Sequence, residues 1–129
     1  MAADYDQSDT DSRHAICRAL GNFRSAFPIA VPVLVRGLAD TNEFVRMCAA
    51  EALGKLARCS EQAVPALTEA VDTDRDSGVR LLSLQSLSQF GLSATNALPA
   101  IRRACSDSDP EVRKMATNVL KYLSAIPGR

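Results

Sequence analysis

The sequence predicts an all-α fold, an α-solenoid of about three and a half helical hairpins in a right-handed stack. Three observations predict it. Apolar residues fall at three- and four-residue steps, as Val45, Ala49, Ala52, Leu53 and Leu56 show, which is the stripe of an amphipathic helix and not the alternation of a strand. The chain also repeats itself with a period of 33 or 34 residues. Finally, 47% of the residues are hydrophobic but only 5% are aromatic, so the core must be aliphatic and closely spaced, as helix-on-helix packing provides.

The repeat is anchored at two places. Pro32, Pro65 and Pro99 sit in A-V-P-V-L, A-V-P-A-L and A-L-P-A-I, and each is followed 14 or 15 residues later by Val45-Arg46, Val79-Arg80 or Val112-Arg113. Arg46 and Arg80 each precede the next anchor proline by 19 residues, and Arg13 stands the same 19 before Pro32, so a half-repeat opens the series. Leu20, Leu53, Leu87 and Leu120 then form one column, and Phe23, Leu56, Phe90 and Leu123 another.

Taken in order, helices are expected at 12–25 from the Arg13 half-repeat, at 29–39 around Pro32, and at 43–58 from Val45-Arg46. The next two repeats give 61–72 around Pro65, 77–91 from Val79-Arg80, 95–105 around Pro99 and 109–124 from Val112-Arg113. Each anchor proline is placed in the first turn of its helix, where its missing N–H has no intrahelical partner to lose. Polar turns separate the helices at Asp40-Thr41-Asn42, at 72–78 and at 106–110.

At 129 residues the chain is sized for one domain: an acidic segment at 1–11, carrying Asp4, Asp6, Asp9 and Asp11, and a repeat domain at 12–129. Fifteen basic and fifteen acidic residues cancel, so no overall field recruits nucleic acid or an anionic membrane. No apolar run approaches the roughly 20 residues of a membrane span, and the expected location is cytoplasmic. Cys17, Cys48, Cys59 and Cys105 are scattered with no C-x-x-C pair, so they are expected to be free buried thiols and no metal site is expected.

A helix pair with proline in the first helix, Asp in the turn, Val-Arg opening the second and A-A-E-A-L-G-K-L following at 49–56 resembles the HEAT repeat, in particular the short-repeat branch that includes bilin-lyase-like proteins. The resemblance covers all but the first dozen or so residues; its weakest copy is the last, where Lys121 replaces the small residue held by Gly21, Gly54 and Ser88. It implies a ladder of turn aspartates and helix arginines along the stack, here Asp40, Arg46, Asp74, Arg80, Asp107 and Arg113. The physical reading agrees, because a carboxylate near a helix amino terminus meets partial positive charge and each arginine can bridge to a neighbouring turn.

Chemistry has little to work with. His14 is the single histidine, which leaves no convergent nucleophile–base arrangement, and no Gly-rich loop with Lys follows a strand. The chain is therefore expected not to be an enzyme and to need no cofactor. HEAT-like DNA glycosylases share this architecture, but the aromatic side chains and basic surface implied for holding a flipped base are lacking.

The resemblance implies that the second helices of the pairs line a concave face. Three outward columns follow from the helical spacing: His14, Met47, Leu81 and Lys114; Arg18, Glu51, Gln85 and Asn118; and Asn22, Lys55, Gln89 and Tyr122. Met47 and Leu81 are apolar where polar residues are expected, so a peptide-binding patch is expected there, rimmed by Glu51, Lys55, Gln85 and Gln89. On the convex side Arg36, Glu69 and Arg103 share a column of alternating sign, expected to be a solvated face. The expected partner is a protein or peptide, not nucleic acid or membrane, with self-association through exposed terminal helices a further expectation. The alternatives are a bilin lyase-like or accessory protein and a structural segment of a larger HEAT array.

Overall fold

A computed structural model describes residues 9–22 and 27–127. Among these residues there are seven α-helices, one 3₁₀ helix and no strand. The half-repeat is α1 (Thr10–Gly21). The first hairpin is α2 (Phe27–Gly37) with α3 (Glu43–Leu56), and the second is α4 (Ser60–Thr73) with α5 (Ser77–Gln89). The third joins a 3₁₀ segment (Gly91–Ala97) and α6 (Leu98–Ala104) to α7 (Pro110–Ala125). The helices therefore stand within a few residues of their expected ranges; α1 starts at Thr10, and Phe23, a member of the second apolar column, lies outside the described residues.

Two layers result. The second helices pack in series, α1 on α3, α3 on α5 and α5 on α7, while α2, α4 and α6 form the other layer. Between the layers lies one aliphatic core whose fully buried side chains include Leu34, Leu53, Leu67, Leu84, Leu87 and Ile101. Leu20, Leu53 and Leu87 are buried and Leu120, in the last helix, is half-buried, while Leu56, Phe90 and Leu123 are buried beside them.

The second helices start alike because each has a side-chain cap. Asp9 accepts from the Ser12 N–H, Asn42 from Phe44 and Val45, Asp76 from Val79, and Asp109 from Glu111 and Val112. By contrast, α4, the 3₁₀ segment and α6 begin without such a cap.

Two expectations need correction. The anchor prolines do not open their helices in the first two hairpins: α2 begins at Phe27 and α4 at Ser60, five residues before Pro32 and Pro65. Both rings lie on the exposed side, where a carbonyl that loses its N–H partner meets water. In the third hairpin Pro99 does sit in the first turn, because the chain expected to be helical from 95 instead winds as 3₁₀ helix from Gly91 to Ala97. Gly91 takes a φ of 56°, a left-handed conformation that glycine adopts without steric cost and that ends α5.

Close approach of the second helices depends on small residues. A Cβ placed on Gly21 would lie 2.7 Å from the Ala52 Cβ, and one on Gly54 would lie 2.8 Å from the Ser86 Cβ, so backbone meets backbone at α1–α3 and α3–α5. The equivalent pair at α5–α7 is Ser88 and Val119, bulkier on both sides.

Candidate functional site: the seams between the second helices

The ladder orients this surface. The first three helix arginines donate forward in a two-pronged fashion to the aspartate of the next turn: Arg13 Nε to Asp40 Oδ2 at 2.6 Å, Arg46 Nε to Asp74 Oδ2 at 2.9 Å, and Arg80 Nε to Asp107 Oδ2 at 2.9 Å. Each Nη2 completes its fork on the same carboxylate, at 3.2, 3.3 and 3.0 Å. Meanwhile Nη1 of Arg46, Arg80 and Arg113 donates back to the carbonyls of Asp40, Asp74 and Asp107, each at 2.8 Å. Arg46 and Arg80 thus each fix both their own turn and the following one. Arg13 is a member that the aspartate-to-arginine spacing misses, although its place in the arginine column marks it.

The turn aspartates also make a second contact. They do not cap the helices; Asp40, Asp74 and Asp107 instead accept the N–H of the residue two further on, Asn42, Asp76 and Asp109, each at 2.9 Å, and those residues are the caps. Partial burial raises the pKa of the Asp107 carboxyl, but the Arg80 hydrogen bond, the Asp109 N–H and the nearby Arg80 and Arg113 charges outweigh it and hold the group below the usual carboxylate range.

With the turns fixed, two of the three outward columns take the positions that helical spacing predicts. Arg18, Glu51, Gln85 and Asn118 are all exposed, as are Asn22, Lys55, Gln89 and Tyr122. Glu51, Lys55, Gln85 and Gln89 come together around a shallow groove of about 340 Å³ over the α3–α5 seam, floored by Gly54 and Ser86. A second groove of about 490 Å³ over the α5–α7 seam is lined by Gln89 again, with Phe90, Met115, Asn118, Val119 and Tyr122. The wider groove sits where Ser88 and Val119 replace the small pair. Tyr122 is 56% exposed at its edge.

Met47 and Leu81 line neither groove. Both are half-buried: the Met47 thioether lies against Gly78 in the first turn of α5, and Leu81 packs on the edge of the core. His14 is half-buried too, and its carbonyl accepts from the Cys48 thiol at 3.8 Å.

Two thiols lie buried beneath this surface, Cys17 and Cys48. Burial, with the nearby Cys48 thiol and Asp40 carboxylate adding to it, pushes the Cys17 thiol up to about 12, and burial likewise raises Cys48. Among the described residues no group of three or more His, Cys, Asp or Glu is placed to hold a metal ion, and no helix is long and apolar enough to cross a membrane.

Sequence comparison agrees with the geometry: the family model for HEAT repeats matches residues 3–88, and the HEAT repeat model matches residues 97–126. The chain belongs to the HEAT-repeat family. No protein of curated function matches it in sequence. Among solved structures it is similar to an engineered protein from the Northeast Structural Genomics Consortium, with 21% identity, a TM-score of 0.67, and 91% of this chain and 56% of that one covered. The chain thus spans little more than half the length of that engineered protein. It is also similar to the complex of CpcE and CpcF of phycocyanin lyase from Nostoc sp. PCC7120, with 22% identity, a TM-score of 0.62, and 92% of this chain and 82% of that one covered.

Proposed function

We propose that the chain is a non-catalytic protein-interaction scaffold that holds a segment of a partner protein along the α3, α5 and α7 surface. The observation that carries this reading is that the two seam grooves share Gln89, which makes them one track with a polar half at Glu51, Lys55 and Gln85 and an apolar half at Phe90, Met115 and Tyr122. A track of that kind suits a polypeptide that presents an aromatic or aliphatic anchor next to polar groups. The ladder ties each turn to the next, so binding needs little ordering of the receptor. The four free cysteines fit a reducing, cytoplasmic setting.

The test is affinity capture from a lysate with the native chain beside a Gln89→Glu, Tyr122→Ser variant, both residues being exposed so that folding is preserved. A protein retained by the native chain and lost by the variant supports the track; equal retention by both rejects it. The similarity to the phycocyanin lyase complex favours a second reading, an accessory role toward a bilin. Mixing the protein with a linear tetrapyrrole checks it, since an unchanged absorption spectrum removes that reading.

A further inference from the structure

A further groove lies on the opposite layer, between α4 and the 3₁₀ segment. It measures about 770 Å³ and is lined on one side by Ser60, Glu61, Val64, Pro65, Thr68 and Glu69, and on the other by Ser93 and Asn96. Its origin is local. In the earlier hairpins the first helix is continuous through the proline, whereas here the chain before Pro99 winds as 3₁₀ helix and forms the wall facing α4.

The charges within it are one-sided. At one end Asp72 is engaged, its two carboxylate oxygens accepting from Arg103 Nε at 3.1 Å and Nη2 at 2.7 Å. Glu61 and Glu69 remain as exposed carboxylates on the same stripe of α4, eight residues apart, or about 12 Å along the helix axis. Anions and nucleic acid are therefore repelled, and two carboxylates so far apart do not close on one metal ion.

We propose that this groove binds an extended, basic peptide segment of a partner protein, with two cationic side chains set against Glu61 and Glu69. An extended strand advances about 3.3 Å per residue, so side chains four residues apart match the separation of the two carboxylates. Ser93 and Asn96 on the facing wall offer neutral donors and acceptors to the peptide backbone, and Val64 with the Pro65 ring gives an apolar floor for the aliphatic stems of Lys or Arg. The proposal is independent of the seam track, which lies on the other layer.

The test is fluorescence anisotropy with labelled, proline-spaced peptides that carry two lysines four residues apart, two glutamates at the same places, or two adjacent lysines. The native chain is expected to bind the first at least about fivefold more tightly than the other two. Glu61→Gln with Glu69→Gln should remove that preference. Asn96→Trp, which fills the groove and leaves every charge in place, should abolish binding, while Tyr122→Ser should not change it. Equal binding of lysine and glutamate peptides, or undiminished binding by the double variant or by Asn96→Trp, would overturn the proposal.

Discussion

Arg46 grips Asp74 across the seam between two repeats, with Nε and Nη2 on the two carboxylate oxygens at 2.9 and 3.3 Å and with the two side chains only 6% and 8% exposed. The same guanidinium reaches back to the carbonyls of Asp40 and Thr41, so removing it strands a nearly buried carboxylate and unties a turn. Arg46→Ala is expected to cost about 3 kcal/mol in urea unfolding. Arg113→Ala, an exposed residue bonded to the carbonyls of its own turn, should cost less than about 1 kcal/mol. Arg46→Lys should recover little, because an ammonium cannot serve two oxygens and two carbonyls in a fixed fork. Equal losses at Arg46 and Arg113 would show that the ladder does not carry stability between repeats.

Acid should weaken the ladder from one direction only. The Asp107 carboxyl is held below its ordinary value in the folded chain, so the unfolded chain takes up its proton first as pH falls. The stabilisation is therefore fully present above the unfolded value of about 3.9 and is lost as pH drops through the lower folded value. The urea midpoint should show no Asp107-dependent change between about pH 5 and pH 7 and should fall below about pH 4. Asp107→Asn should lower the neutral plateau and make the acid fall shallower. A variant with the full acid slope of the native chain would remove Asp107 from the account.

The solenoid was legible because its columns recur: one arginine position and one leucine position identify every second helix, a small position marks the first three, and helical spacing then places Glu51, Lys55, Gln85 and Gln89 on one surface. Met47 and Leu81 misled because spacing gives a direction and not a depth, and glycine at position 78 leaves room for the Met47 thioether to fold down. The groove along α4 was not legible at all. It depends on the 3₁₀ winding of Gly91–Ala97, and the proline spacing of that repeat is nearly the same as in its neighbours, so neither period nor anchor registers the change. The caps at Asn42, Asp76 and Asp109 were hidden by the ladder aspartates two residues earlier, which have the same chemistry.

Gly54 tests the close approach directly. An alanine Cβ there would lie 2.8 Å from the Ser86 Cβ and 2.9 Å from its Cα, so a rotamer change at Ser86 cannot relieve it and α3 must move away from α5. Gly54→Ala is expected to cost about 2 kcal/mol despite the better helix propensity of alanine. Adding Ser86→Ala should restore only part of the loss, since the clash with the backbone at position 86 persists and the bond from Ser86 Oγ to the Ala50 carbonyl, 2.6 Å in the native chain, is removed. Thermal unfolding of the two variants distinguishes this from a mere propensity effect, which would raise the midpoint.

Ser83 points the other way. It is fully buried, and its hydroxyl has no hydrogen-bond partner among the described residues. In the repeat it occupies the position three after the arginine, which Ala49 and Ala116 fill in the neighbouring copies, both also fully buried. The packing of this layer therefore already accommodates alanine, and the hydroxyl brings a desolvation cost without a compensating bond. Ser83→Ala is expected to raise stability by about 1 kcal/mol, seen as a higher urea midpoint with an unchanged slope. A lower midpoint would mean that the hydroxyl is satisfied in solution, for example by donating to a carbonyl of its own helix, and that the small column at this position is set by hydrogen bonding as well as by space.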